Sequence, residues 1–70
     1  MRYYFNIVNG TSAYNDNSGQ HFFSDQHATE HATVVAREYA GKGGWDEWSV
    51  QVVDQHGAEI ARLPITGLSS

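Results

Sequence analysis

The chain has 70 residues, four Lys or Arg against eight Asp or Glu for a formal charge of −4, no cysteine, and three Phe, four Tyr and two Trp. This length excludes more than one small domain, and the lack of cysteine excludes disulfide stapling, so packing must hold the fold, with each large ring able to bury roughly 150–250 Å². The charge is acidic and spread without a basic block, which removes the electrostatic footprint expected of a nucleic-acid binder.

The opening Met1-Arg2-Tyr3-Tyr4-Phe5-Asn6 lacks the apolar stretch of a signal peptide, and no apolar run approaches the roughly 20 residues of a membrane helix. The expectation is a cytoplasmic protein with no membrane contact. Tyr3, Phe5 and Ile7 alternate with Tyr4, Asn6 and Val8, a period-2 pattern that predicts a first strand with one buried face. Asn9-Gly10 then signals a hairpin, although polar Thr11 to Asn15 makes a poor returning strand. Asn9-Gly10-Thr11 also matches a glycosylation sequon, which without a secretory route reads as a tight turn. Asp16-Asn17-Ser18-Gly19 is a second turn, and Gln20-His21-Phe22-Phe23 continues the second strand beyond a bulge.

Ser24 or Asp25 can cap a helix that begins near Asp25 and ends at Ala40, before Gly41, Gly43 and Gly44. Its apolar face is Ala28, Ala32, Val35, Ala36 and Tyr39, small enough at three positions to lie close on a sheet. Trp48, Val50 and Val52 alternate with Ser49, Gln51 and Val53 as a third strand, and Asp54-Gln55-His56-Gly57 forms the next turn. The fourth strand runs through Ile60, Leu63 and Ile65. Its odd step predicts a bulge near Ala61-Arg62, and Pro64, which has no N–H to give a neighbour, predicts a sheet edge.

The order is β-β-α-β-β in one α+β domain spanning residues 1–70. A helix of that length is about 24 Å long and a seven-residue strand about 23 Å, so the helix can return the chain across the sheet. A mainly antiparallel four-stranded sheet follows, in the order 2-1-3-4, with one helix packed on one face. The covered side takes Tyr3, Phe5, Ile7, Trp48, Val50 and Val52.

The opening Arg2-Tyr3-Tyr4-Phe5, Gly10, Asp16 with Gly19, Trp48 with Val50 and Val52, and Asp54 with Gly57 together resemble a family of short bacterial proteins grouped as a domain of unknown function. The chain differs from that pattern in having Asn9 where Asp is usual, and histidine-rich text at the start of the helix. The resemblance implies a small bacterial domain and carries over no catalytic or binding residue. A fainter likeness is to small antitoxin domains that open with a hairpin and an alanine-rich helix, which implies an acidic domain covering a basic partner protein.

His27-Ala28-Thr29-Glu30-His31 fits the H-x-x-E-H pattern, in which two imidazoles one helical turn apart bind zinc and the glutamate acts as base. Catalytic zinc needs a third protein ligand and a walled cleft, and neither is evident, even with His21 on the second strand and His56 in a turn. Solvated histidines beside the apolar helix face are the preferred reading, and a histidine metal site at His27 and His31 is the alternative. No cysteine nucleophile exists, no serine sits in an activated elbow, and Gly41-Lys42-Gly43-Gly44 follows a helix where a phosphate loop must precede one. No catalytic residue, metal ligand or cofactor is therefore assigned, and the chain is not expected to be an enzyme.

Trp45-Asp46-Glu47-Trp48 sets two indoles three apart, Trp48 in core register and Trp45 either a lid on the helix end or an exposed anchor. Because one helix covers one side of the sheet, the other presents Tyr4, Asn6 and Val8 beside Ser49, Gln51 and Val53. The function is unknown from these features. The expectation is a non-catalytic protein-interaction module forming a homodimer by that open face or by an edge strand, with Tyr4, Val8, Trp45 and Val53 as candidate contacts.

Overall fold

The computed structural model describes residues 1–66. Strand β1 (Arg2–Val8) is followed by two-residue strands β2 (Ala13–Tyr14) and β3 (Gln20–His21), helix α1 (Asp25–Lys42), and strands β4 (Ser49–Asp54) and β5 (Glu59–Pro64). Both β2 and β3 pair antiparallel with β1, giving a sheet in the order β2-β1-β4-β5 with β3 also on β1. The expected α+β fold and sheet order are present, with the second strand split in two around residues 15–19.

Alternation along β1 places Tyr3 and Ile7 on the face shared with Val50 and Val52 of β4, and all four are buried. Ala28, Ala32 and Ala36 recur every fourth residue and are buried against that face, joined by Ile65. The helix packs chiefly on β4 and β5. Methyl groups let its backbone approach that half of the sheet closely, whereas the β1 half is filled by larger rings.

Ser24 is the N-cap, its Oγ accepting the His27 N–H at 3.3 Å. The helix runs two residues past Ala40, because Gly41 is tolerated within it and Gly43, at φ +78°, ends it. The β4–β5 register slips where Val52 meets Ala61 and Val53 meets Glu59, so the extra residue is Ile60, just before the expected position. That slip returns Ala61 to the helix side and leaves Glu59 and Arg62 together on the open side. Strand β5 is an edge, as Pro64 implied. The Ile65 N–H bonds the Trp48 carbonyl, so the neighbouring Pro64 nitrogen faces outward, where it offers no donor.

Candidate functional site

The open face is held by its own polar side chains. The Asn6 amide donates to Gln51 Oε1 at 3.1 Å, the Gln51 amide donates to Glu59 Oε1 at 3.0 Å, and the Arg62 guanidinium meets the same oxygen at 2.8 Å. Asn6 Oδ1 also accepts the Asp16 backbone N–H at 2.9 Å. The Arg62 and Gln51 bonds hold the exposed Glu59 carboxyl below its ordinary value. Of the contacts expected on this face, Tyr4 and Val53 are half-buried partners across β1 and β4. Val8 is buried, so the expectation that it lies on an accessible surface is not met: at the end of β1 it is flanked by strands on both sides, paired with Ala13 on one and Ser49 on the other.

Residues 15–19 close the gap between β2 and β3. The Phe5 N–H would face an absent strand there, and Asp16 Oδ2 accepts it at 3.2 Å, while Oδ1 accepts the Ser18 and Gly19 N–H groups, each at 3.1 Å. Burial raises the Asp16 pKa, but the Gly19, Phe5 and Ser18 bonds outweigh it and the carboxyl lies below its ordinary value. Asn9 and Asp54 use the same device in the other turns. Asn9 Oδ1 takes the Thr11 and Ser12 N–H groups, and Asp54 Oδ1 those of His56 and Ala58.

The H-x-x-E-H segment lies on one helix face, yet its members are drawn to different partners. His27 Nδ1 is 2.9 Å from the capping Ser24 Oγ, Glu30 faces Gln26 at 3.4 Å, and the His31 ring packs on Phe5 and Phe22 with centroids 5.0 and 5.1 Å away. His21 is elsewhere, beside Arg2 at 3.1 Å. Among the described residues no group of three or more His, Cys, Asp or Glu could hold a metal ion. Tyr3 crosses beneath the start of this helix and donates to Asp25 Oδ1 at 2.6 Å, a bond that, with burial, pushes the phenol up to about 12.

Two features of the helix side were not singled out from sequence. Because Tyr14 pairs with Ile7, it stands on the helix side beyond the reach of the helix and is 60% exposed. It stacks on Trp48 (5.3 Å, 30°), and Trp45 packs edge-on against Tyr14, Trp48 and Tyr39 at 5.9, 5.3 and 4.9 Å. Trp45 is thus the lid over the helix end, half-buried in an aromatic cluster. At the opposite end of the helix, Phe23 precedes the cap and is 95% exposed. Tyr14 was legible only as part of a poor strand, and Phe23 only as strand text; the register with Ile7 places Tyr14 on the helix side, whereas Phe23 lies beyond β3, between it and the helix cap.

A family described as a domain of unknown function, DUF6894, matches residues 2–66. The chain belongs to that family. No curated protein and no solved structure matches it. In this DUF6894 chain, Tyr3, Val50 and Val52 of the resemblance are core, while Asp16, Gly19, Asp54 and Gly57 build turns. Its fold is thereby explained without assigning a reaction. Among the described residues no helix is long and apolar enough to cross a membrane.

Proposed function

We propose that this DUF6894 domain is a cytoplasmic, bacterial, non-catalytic interaction module that pairs with a second copy of itself. The observation that carries the reading is Phe23: a phenyl ring left 95% exposed by a small domain whose other phenylalanines pack against its core. The alternatives weighed from sequence are less favoured as contacts. The open face has a polar centre whose groups already satisfy one another, one sheet edge is blocked by Pro64, and the other is interrupted by residues 15–19. Two copies related by a twofold axis bring their Phe23 rings into one buried contact.

The separate engagements of His27, Glu30 and His31 support a capping and packing role over a zinc or catalytic one. Nucleic acid is not a favoured partner, since three of the four basic side chains are engaged within the domain, Arg2 with the Ser18 carbonyl, Arg62 with Glu59 and Lys42 over the Tyr39 ring, and Arg37 alone makes no basic patch. Light scattering at tens of micromolar should report a dimer, and Phe23→Ser should report a monomer with an unchanged helical circular-dichroism signal. A monomer for the unmodified chain would overturn the reading.

A further inference from the structure

The aromatic cluster at the far end of the helix from Phe23 combines three properties. The first is an accessible π face: Tyr14 is 60% exposed and lies nearly parallel on Trp48, which stiffens it without covering it. The second is unpaired negative charge beside the indoles. The Trp48 N–H bonds the Trp45 carbonyl at 3.0 Å, closing a turn whose two central residues are Asp46 and Glu47. Both are exposed, and among the described residues neither carboxylate holds a hydrogen bond or an ion pair. The third is a cation already resting on the cluster, Lys42 Nζ at 5.2 Å from the Tyr39 ring centre.

We propose that Tyr14, Trp48 and Trp45, with Asp46 and Glu47 between the two indoles, receive an arginine side chain from a basic segment of a partner protein. Charge complementarity selects that occupant. The domain carries −4 overall, so a basic chain is attracted from a distance, and the local carboxylates concentrate that attraction at the turn. Aromatic faces favour a guanidinium over other cations, because it is planar, weakly hydrated and able to stack while its N–H fork meets a carboxylate. A nucleic-acid strand would also stack on such rings, but it would bring phosphates against Asp46 and Glu47. This surface is separate from Phe23, so either reading can fail without the other.

The test uses the intact chain, whose two tryptophans are both in the cluster and report on it by fluorescence. Titration with a tetra-arginine peptide should give a saturable change, with tetra-lysine weaker and tetra-glutamate without effect. Tyr14→Leu, which keeps apolar cover and removes the π face, should weaken tetra-arginine by about two- to fivefold, the scale of an exposed cation–π contact. Asp46→Asn with Glu47→Gln should weaken it by a similar factor, and Phe23→Ser should leave it unchanged. Circular dichroism confirms that each variant is folded. Equal binding of tetra-lysine and tetra-arginine that ignores Tyr14→Leu would reduce the effect to general attraction and overturn the proposal. So would the absence of a saturable signal.

Discussion

Side-chain oxygens accept backbone N–H groups at three turns, and the one at Asp16, which also takes the Phe5 N–H of β1, is the most constrained. Gly19 closes that turn at φ +71°, and a Cβ there would lie 2.8 Å from the Tyr4 ring, 2.9 Å from Arg2 Cγ and 3.0 Å from the Tyr3 carbonyl oxygen. The ring and the arginine stem can shift, but the carbonyl belongs to β1 and cannot move without disturbing the sheet. Gly19→Ala is therefore expected to destabilise the domain by about 1–3 kcal/mol, through both positive φ and the close approach. By contrast, Gly10→Ala has open space around it, with nothing within 4 Å of an added Cβ, and should stay within about 0.5 kcal/mol of the parent. Urea denaturation of the two variants checks the contrast, and equal midpoints would show that residues 15–19 fold independently of β1.

Helix α1 presents Ala28, Ala32 and Ala36 to β4 and β5, and at 0% exposure Ala32 has no room to grow. Ala32→Leu should lift the helix from the sheet at a cost of about 1–3 kcal/mol, whereas Val34→Leu, at a position 48% exposed, should be nearly neutral. A urea midpoint for Ala32→Leu equal to that of Val34→Leu would show a helix loosely seated on the sheet. This helix was legible because its spacing, its Ser24 cap and its terminal glycines agree with one another. Strands β1, β4 and β5 were legible by alternation, and Pro64 correctly marked the edge. Local text was insufficient elsewhere. The two-residue strands β2 and β3 have almost no pattern of their own and exist because β1 has open hydrogen-bonding groups on that side. The Ile60 slip depends on the β4 partner, and Val8 is buried by neighbours on both sides rather than by its own strand's alternation. The Tyr14 and Trp45 cluster needed the same long-range register before its members could be placed together.

At the scale of the whole molecule, the helix roofs chiefly the β4–β5 half of the sheet, aromatic rings fill the remainder, and carboxylates hold the turns at the periphery. Stability should consequently be sensitive to acid. Asp54 is held below its ordinary value of 3.8, chiefly by the Ala58 N–H, with further N–H bonds from His56 and Gly57 and the His56 charge; Asp16 is lowered from the same value, and Glu59 from 4.5. A carboxyl whose pKa is lower in the folded chain binds fewer protons there than in the unfolded chain. Its contribution is thus complete above the unfolded value and is lost as pH falls through the folded one. Through these three groups the thermal midpoint should vary little with pH near neutrality and fall once pH drops below about 4.5, the highest of the ordinary values. The measurement belongs at low protein concentration, because the acid limb is approached through the isoelectric point near 5.3, where association is favoured. Asp16→Asn combined with Asp54→Asn should lower the midpoint at pH 7, since one amide oxygen cannot replace the two Asp16 oxygens that accept the Phe5, Ser18 and Gly19 N–H groups, and should flatten the acid limb, since an amide has no proton to gain. An acid limb in the double variant as steep as that of the parent would assign the loss to other groups.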